Sequence, residues 1–218
     1  MSDQSPQPLL DGQAWPLGAS LCAFKKQDGV NFAVWAPDAE CVELCLFDHQ
    51  GQTEEQRITL PRVSDGVWHG FLPGAAAGLV YGYRVHGPWA PEKGHRFNPD
   101  KLLLDPWAKE VVGSYGHQFP GQSDNELESS LALFNGADPN DPSVRDTRDN
   151  AVTALKARVT APETPDSVHQ RPRIAYEDTV IYEAHVRSLS LRHPDIPPEI
   201  RGSYAALAHP VIIDHLRS

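Results

Sequence analysis

The sequence predicts a mostly β protein, with an antiparallel sandwich in its first half, an irregular connecting segment after it and the opening of a βα unit near residue 180. Three observations predict this architecture. Short stretches in which apolar and polar residues alternate recur about every ten residues between positions 30 and 83. Glycine and proline separate them, and the 20 prolines among 218 residues are nearly double the usual share of about 5%. A last alternating stretch precedes a loop with three prolines and a helix-like segment.

Five stretches predict the strands of the sandwich, and a glycine or proline lies at or near an end of each. In chain order they read GVNFAVWAP, CVELCLFD, EQRITLP, DGVWHGFLPG and GLVYGYRVHG. The apolar run Leu102–Leu104 that follows is expected to belong to the core. We therefore expect a β-sandwich domain over residues 15–113, preceded by a disordered tail over residues 1–14.

Residues 114–178 predict an irregular connecting segment. Its stretches, such as GQSDNELESS, NGADPNDPS and TAPETPDSVHQRPR, are polar or broken by proline. Within it, RDNAVTALKARV fits either a short helix or a strand. Segments of this length without regular structure are unusual inside one compact domain, so we expect this one to be functional or to link two domains.

Val180 begins a stretch, VIYEAHVRSL, that predicts a strand with two unlike faces. Apolar side chains occupy one face, whereas Glu183, His185 and Arg187 share the other. A loop then leads to a predicted helix that begins after Pro210. Strand, loop and helix in this order are the opening of a βα unit, in which a parallel strand needs neighbouring strands and covering helices.

The charge balance argues against a polyanionic partner. The chain has 29 acidic and 19 basic residues, a formal charge of −10, which disfavours nucleic acid and anionic membranes and favours a neutral substrate. No apolar run approaches the ~20 residues of a membrane span, and the start, MSDQSPQPLL, lacks the pattern of a secretory signal. Cys22, Cys41 and Cys45 are odd in number and lack metal-ligand spacing, so we expect free thiols in a cytoplasmic protein.

Seven stretches, taken together and in order, resemble the bacterial glycogen debranching enzymes, which are isoamylase-type members of glycoside hydrolase family 13. They are GVNFAVWAP, VELCLFD, WHGFLPG, YGYRVHGPW, RFNPDKLLLDPWA, TVIYEAHVRSL and HPDIPPEIRGSYAALAHP. The resemblance runs from about Trp15 to Leu216. It implies that residues 15–113 form an immunoglobulin-like β-sandwich of the carbohydrate-binding module 48 type. It also implies that residues 179–218 are the first βα unit of a truncated (β/α)8 barrel, with Val180–Leu189 as its first strand.

The resemblance further implies a reaction, namely retaining hydrolysis of α-1,6-glucosidic branch links in glycogen or limit dextrin, without a metal or an organic cofactor. Such an enzyme needs two carboxylates about 5–5.5 Å apart. The family carries them on later barrel strands, and neither D-x-x-x-N-H nor G-F-R-x-D occurs in this chain. We therefore assign no catalytic residue and expect the chain alone to be inactive. Glu183 is expected to form a structural ion-pair cluster with His185 and Arg187.

Three roles stay open for the chain at this stage. It is the N-terminal portion of a debranching enzyme whose barrel is encoded separately or lost, or a stand-alone α-glucan-binding module, or a non-functional remnant of a truncated gene. An α-glucan is the expected ligand in the first two cases, and a separately encoded barrel fragment is the expected protein partner in the first. Neither nucleic acid nor a membrane is an expected partner.

Four residues are candidate contacts to substrate. Aromatic residues in or beside the predicted strands can stack on a sugar ring, although they more often pack in a core or at a domain hinge: Trp35, Trp68, Tyr81, Tyr83 and Trp89. Of these we select Trp68 and Trp89. Arg201 and Tyr204 lie in the loop after the predicted barrel strand, where barrel enzymes place substrate contacts. The histidines lack metal-ligand spacing, so no metal site is predicted.

Overall fold

The computed structural model describes residues 8–113, 136–138, 140–162 and 174–218. It divides into two compact units, Met1–Thr164 and Pro165–Ser218. The predicted tail over residues 1–14 lies partly outside the described residues, as does much of the predicted connecting segment. No described helix has the length and apolar character that a membrane crossing requires.

The first unit is built from antiparallel strands, which confirms the mostly β prediction. One sheet has the order β1-β2-β6-β5, a second has the order β10-β11-β7-β3-β4, and β8 pairs with β9 in a separate small sheet. The strands are β1 Gly18–Phe24, β2 Gln27–Trp35, β3 Cys41–Phe47, β4 Glu54–Thr59, β5 Arg62–Ser64, β6 Val67–Pro73, β7 Val80–His86, β8 Trp89–Ala90, β9 His95–Arg96, β10 Glu110–Val112 and β11 Lys156–Arg158. A short 3-10 helix, Pro91–Lys93, joins β8 to β9.

The turn between β5 and β6 shows how local sequence sets the register. Ser64 lies opposite Val67, so only Asp65 and Gly66 form the loop. Both have positive φ angles, 50° and 78°, as a two-residue hairpin turn with the right-handed twist of its strands requires. The Asp-Gly pair in the sequence therefore corresponds to this turn.

The core of the first unit lies between the two large sheets. Alternation along each strand sends every second side chain into this space, and the buried members include Phe32 from β2, Leu44 from β3 and both Tyr81 and Tyr83 from β7. The Phe32 and Tyr81 rings meet edge to face, with centroids 5.0 Å apart. Alternate residues of these strands thus pack together in the core.

The outer face of the five-stranded sheet is also partly covered. Phe47 and Val80 point to this side and pack with Leu102, Ala151 and Ala154. Leu102 is 3% exposed, as expected for a core residue, whereas the next residue, Leu103, is 46% exposed. Residues well beyond position 113 therefore contribute to the hydrophobic packing of the first unit.

The stretch RDNAVTALKARV, for which the sequence left helix and strand open, contains a turn followed by strand β11. This strand pairs with β10 on one side and with Tyr81 and Val80 of β7 on the other. It lies inside the segment predicted to be irregular. The difference has a physical reason, since β11 is held by pairing with strands distant in the sequence, and local composition carries no sign of such pairing.

In the second unit, the predicted strand Val180–Leu189 is absent. Residues 179–185 have no regular secondary structure, and Val186–Ser190 forms a short helix, α1. Val180 and Ile181 are 93% and 85% exposed. A strand is stable only when its backbone pairs with a neighbour, and no described strand pairs with this stretch. The strand predicted from the alternating pattern is therefore wrong for the structure formed here.

The predicted helix after Pro210 is present as α2, Pro210–Arg217, with the proline in its first turn. Two 3-10 helices, Tyr176–Asp178 and Tyr204–Ala208, lie earlier in this unit. Ile196, Ala206 and Ile212 form its small buried core. The unit therefore has its own packing, although it contains no strand among its described residues.

Candidate functional site

The first unit contains a cavity of about 600 Å³ beside the end of β2. Its walls come from the end of β2, from β7 and from residues 94–106. The aromatic residues lining it are Trp35, Tyr83, Trp89 and Phe97. Its volume lies within the range of about 300–1,000 Å³ typical of small-molecule sites, so it is the candidate functional site of this unit.

Trp35 supplies an exposed aromatic surface at the cavity. It is the last residue of β2 and lies opposite Val67 of β6. The next residues, Ala36 and Pro37, turn the chain away and also line the cavity. Trp35 is 63% exposed, so its indole is available to a ligand.

Trp89 is held more firmly than Trp35. It lies on β8 opposite Arg96 of β9, and its indole Nε1 donates a hydrogen bond of 2.7 Å to the Ser143 carbonyl oxygen. A Cβ atom added at Gly136 would lie 3.5 Å from the Trp89 ring. Gly136 and Ser143 therefore fix the orientation of this indole at the cavity.

Tyr83 lines the cavity from β7, and its side chain is 1% exposed. Its backbone exchanges hydrogen bonds of 2.9 and 2.8 Å with Leu103, which fixes its position. The hydroxyl has no hydrogen-bond partner among the described residues. Burial, with a smaller contribution from the negative charge of Asp105, raises the pKa of this phenol well above its ordinary value, so the hydroxyl keeps its proton at neutral pH.

The neighbouring Tyr81 differs from Tyr83 in that its hydroxyl has a hydrogen-bond partner. Its hydroxyl donates a hydrogen bond of 2.6 Å to Asp105 Oδ2. Burial raises the pKa of the Asp105 carboxyl above its usual range, against the hydrogen bonds that it accepts. Tyr81 does not line the cavity. The two tyrosines, whose ring centroids are 5.7 Å apart, therefore have a satisfied and an unsatisfied hydroxyl in similar surroundings.

Two polar residues of the cavity wall, Asn98 and Lys101, make structural contacts. Asn98 Nδ2 donates to the carbonyl oxygens of Gly136 and Asp146 at 2.9 and 2.8 Å. Lys101 Nζ lies 3.1 Å from Asp146 Oδ2 and donates to the Arg148 carbonyl oxygen at 2.7 Å. Hydrogen bonds from Arg148, and after them the Lys101 ammonium, hold the pKa of Asp146 below its ordinary value. These side chains bind residues 136–148 to the sandwich.

The four residues selected from the sequence lie in different surroundings. Trp89 lines the cavity. Trp68 does not, since it packs against the core and its Nε1 donates to the Ala36 carbonyl oxygen at 3.1 Å. In the second unit, Arg201 donates to the carbonyl oxygens of Ile196 and Pro194, at 2.6 and 3.0 Å, and Tyr204 is 79% exposed.

Glu183 lies on the exposed segment before α1. No ion pair joins it to His185 or Arg187, all three being among the described residues. The predicted ion-pair cluster on one strand face is therefore wrong, because the strand that would align the three side chains is not formed. His185 instead accepts a long hydrogen bond from Ser188 N, at 3.4 Å, at the start of α1.

Trp35 and Tyr83 line the cavity and were considered, but not selected, in the sequence analysis. Both were noted as aromatic residues in predicted strands, without a reason to separate them from core residues. For Trp35 there was a usable signal, because it directly precedes Ala-Pro at the end of a strand, and strand ends leave side chains less covered. For Tyr83 there was no such signal, since its unsatisfied hydroxyl depends on residues distant in the sequence.

Comparison with known proteins agrees with the sandwich. Residues 16–108 match the family model of carbohydrate-binding module 48, the isoamylase N-terminal domain. Among solved structures, the PulA-G680L mutant from Klebsiella pneumoniae aligns with 94% of this chain at a TM-score of 0.57 and 21% identity, over 16% of its own length. The catalytic module of the pneumococcal virulence factor SpuA aligns with 95% of this chain at a TM-score of 0.55 and 22% identity, over 25% of its length. These similarities concern the fold.

Proteins found by sequence comparison have a higher sequence identity to this chain than these solved structures. The glycogen debranching enzyme of Pectobacterium atrosepticum is 48% identical over 210 residues, which cover 96% of this chain and 28% of that protein. The glycogen debranching enzyme of Cronobacter sakazakii is 50% identical over 186 residues, which cover 85% of this chain and 25% of that protein. The chain therefore spans about a quarter of the length of these relatives. Residues 16–108 thus match the model of carbohydrate-binding module 48, and the chain is similar, over nearly its whole length, to the N-terminal part of bacterial glycogen debranching enzymes.

Proposed function

We propose that this chain acts as the N-terminal part of a glycogen debranching enzyme, which hydrolyses α-1,6-glucosidic branch links in glycogen or limit dextrin. The identity of 48% over 96% of the chain to a glycogen debranching enzyme supports the assignment. Since the chain spans only 28% of that relative, the hydrolytic activity is proposed for the whole enzyme and not for these residues alone.

The described residues are proposed to hold glucan and not to cleave it. Retaining hydrolysis requires two carboxylates about 5–5.5 Å apart, positioned on rigid elements. Glu183, the carboxylate in the stretch predicted to be the first barrel strand, lies on an exposed segment without regular secondary structure. It therefore lacks the support that a nucleophile or an acid/base group needs.

The glucan contact is proposed at the cavity beside β2. The observation that carries this proposal is that Trp35 and Trp89 line one cavity of about 600 Å³ within the domain that matches carbohydrate-binding module 48. Indole faces are large and rigid, with a polar N–H at the edge. The C–H faces of a glucose ring pack well on such surfaces. A neutral ligand is also compatible with a chain of formal charge −10.

Calorimetric titration of the chain with maltoheptaose tests this site. We expect binding to the unmodified chain, and affinity about tenfold weaker for Trp35→Ala and for Trp89→Ala, because each removes a stacking surface. Trp15→Ala is the matched control, since Trp15 is 71% exposed in the same unit but does not line the cavity. Equal binding by all four proteins, or none by the unmodified chain, contradicts the proposed site.

An activity assay separates the proposed role from the two alternatives, a stand-alone glucan-binding module and a remnant of a truncated gene. The chain is incubated with limit dextrin, alone and with a separately produced fragment that corresponds to the remaining length of the P. atrosepticum relative. We expect no release of reducing ends by the chain alone, with Glu183→Gln as its control, and release from the mixture. Glucan binding without restored activity favours the stand-alone module, and failure of both favours the remnant.

We further propose that the protein is cytoplasmic. Cys22, Cys41 and Cys45 are all free thiols, which supports a reducing compartment. Burial raises the pKa of Cys45 to about 12, so its thiol is protonated and unreactive at neutral pH. Alkylation under denaturing conditions directly after cell lysis, followed by mass spectrometry, tests this proposal, since we expect all three thiols to be alkylated once the protein is unfolded.

A further inference from the structure

The indole of Trp89 is held by residues that lie later in the chain. Its Nε1 donates a hydrogen bond of 2.7 Å to the carbonyl oxygen of Ser143, 54 residues away in the sequence. A Cβ atom added at Gly136 would lie 3.5 Å from the indole ring. Because the N–H is bonded to the protein, Trp89 presents its ring surface, and not a hydrogen-bond donor, to a ligand in the cavity.

The residues that hold this indole belong to a short paired stretch, residues 136–138 and 140–146, which is named the bridge segment. Ala137 and Arg145 face each other in an isolated antiparallel β-bridge, and Asp146 N donates to the Gly136 carbonyl oxygen at 2.9 Å. Gly136 and Ala137 line the cavity, whereas Ser143 does not. A pairing this short is marginally stable by itself, so the bridge segment depends on its attachment to the sandwich.

Asn98 attaches both ends of the bridge segment. Its Nδ2 donates to the carbonyl oxygens of Gly136 and Asp146 at 2.9 and 2.8 Å, and its Oδ1 accepts from Asp100 N at 3.0 Å. Asn98 is only 6% exposed, so water does not compete freely for these bonds. Lys101 provides a further attachment, 3.1 Å from Asp146 Oδ2, but at one end only. Asn98 is therefore the side chain that joins the two ends.

We propose that Asn98 is a positioning residue of the glucan site, which holds the bridge segment in place and, through it, the orientation of the Trp89 indole. This inference rests on the glucan site proposed above. The amide of Asn98 is bonded to the protein through both its nitrogen and its oxygen, so its role is to orient Trp89 and not to bind glucan. An indole that is already held in place loses less conformational entropy when a ligand binds, which strengthens binding.

Asn98→Asp is the first variant that tests this role. It keeps the size of the side chain and the acceptor for Asp100 N, but it places a carboxylate oxygen against the carbonyl oxygens of Gly136 and Asp146. We expect the bridge segment to detach and the Trp89 indole N–H to lose its bond to Ser143. The nuclear magnetic resonance signal of this N–H, assigned by its loss in Trp89→Phe, should then shift in the unliganded chain. We expect the affinity for maltoheptaose, measured by calorimetry, to fall about fivefold.

Asn31→Asp is the matched control. Asn31 is 2% exposed, its Nδ2 donates to the Gln13 carbonyl oxygen at 2.8 Å, and its Oδ1 accepts from Gln13 N at 2.7 Å. It does not line the cavity. We expect both variants to lower the midpoint of thermal unfolding, because each places a buried carboxylate against a carbonyl oxygen. In Asn31→Asp the Trp89 signal is expected to stay in place, and the affinity for maltoheptaose is expected to stay within about twofold.

Asp141→Ala reaches the same indole from the protein surface. Asp141 is exposed, and its Oδ1 accepts hydrogen bonds from Ser143 N at 3.0 Å and from Ser143 Oγ at 2.7 Å. It therefore shapes the backbone beside the carbonyl oxygen that Trp89 uses. Neither Asp141 nor Ser143 lines the cavity, so a weaker affinity cannot come from a lost contact with the ligand. We expect the Trp89 signal to shift, the affinity to fall about threefold and the unfolding midpoint to be unchanged.

The outcomes distinguish this inference from the proposed function. If the unmodified chain binds maltoheptaose but the Trp89 signal shifts in neither Asn98→Asp nor Asp141→Ala, only the inference about Asn98 is overturned. If Asn98→Asp weakens binding no more than Asn31→Asp does, Asn98 has a structural role and the inference is again overturned. If Asn98→Asp does not fold, Asp141→Ala decides, and unchanged affinity in that variant overturns the inference. If the unmodified chain does not bind, both proposals fail.

Discussion

The carboxylate of Asp149 lies 2.9 Å from the guanidinium of Arg84, 65 residues earlier in the chain. Arg84 is 1% exposed, and its other acceptors are Glu54 at 3.1 Å and the Pro99 carbonyl oxygen at 3.0 Å. Arg84, on β7, thereby links Glu54 of β4 to Asp149, which lies beyond the family match that ends at residue 108. The sandwich therefore depends on residues that its strand pattern does not include.

Replacing Asp149 is expected to destabilise the first unit. In Asp149→Asn the buried Arg84 keeps its ion pair with Glu54 but loses a charged acceptor. We expect the free energy of unfolding to fall by about 1–2 kcal/mol. This value is below that of a fully buried charged hydrogen bond because Asp149 is partly exposed to solvent. Chemical denaturation measures the change. Asp28→Asn, at an exposed residue of β2, is the control and is expected to stay within about 0.5 kcal/mol. Equal stability of the two variants contradicts this account of Arg84.

The domain boundary proposed from the sequence, at residue 113, is tested by truncation. We propose that the independently folding part extends to residue 162, because β11 pairs with β7 and Asp146 neutralises the buried Lys101. Chains covering residues 8–113 and 8–162 are compared by thermal unfolding. The longer chain is expected to unfold cooperatively and the shorter one at a clearly lower temperature. Equal unfolding midpoints of the two chains would contradict this proposal and support the boundary at residue 113.

How much the sequence predicts depends on whether a feature is local. The alternation in GVNFAVWAP and CVELCLFD predicted β2 and β3 and their buried faces, because a side-chain period of two is a local property. The Asp65–Gly66 turn was readable for the same reason. Strand β11 could not be separated from a helix, and the Arg84–Asp149 pair was not predicted, because their partners are distant in the sequence: Val112 lies 44 residues before Lys156, and Arg84 lies 65 residues before Asp149.

In the stretch VIYEAHVRSL, a local pattern predicted a strand that the structure does not contain. Apolar and polar residues alternate along it, yet residues 179–185 form no strand. Propensity acts through packing against neighbours, and the described residues offer this stretch no strand to pair with. For the cavity, aromatic content was visible in the sequence, whereas the choice of Trp35, Tyr83 and Trp89 as lining residues depended on three-dimensional proximity.

Amide hydrogen exchange is expected to distinguish the two alternating stretches. Val42–Leu46 lies within β3 between two hydrogen-bonded neighbours, so its amides should exchange slowly. Residues 180–185 are exposed and lie in no strand or helix, so their amides should exchange near the rate of an unfolded chain. Protection of residues 180–185 as strong as that of β3 would mean that they pair with another strand in solution.

Lys156 makes stability depend on pH. It is 1% exposed, its Nζ donates to the Ala151 carbonyl oxygen, and the Phe47 ring centroid lies 5.0 Å away. Burial lowers its pKa from 10.5 to about 8. Between about pH 8 and 10.5 the unfolded chain binds more protons at this group, so its contribution to the free energy of unfolding rises with pH in that window.

Lys156→Met isolates that contribution. Other groups titrate at alkaline pH in both proteins, so the measured quantity is the difference in unfolding midpoint between the unmodified chain and the variant, from pH 7.5 to 10.5. We expect the unfolding midpoint of the unmodified chain to rise relative to that of the variant as pH rises. A difference that stays constant across the window would show that Lys156 titrates normally.

The most direct test of the glucan site follows the indole N–H signals of the tryptophans in a nuclear magnetic resonance titration with maltoheptaose. The chain has five tryptophans, and single Trp→Phe replacements assign their signals. We predict that the signals of Trp35 and Trp89, which line the cavity, shift with a common dissociation constant. We predict that those of Trp15, Trp68 and Trp107, which do not line it, stay in place. Shifts confined to Trp15, Trp68 or Trp107, or no shift at any of the five, would contradict the account.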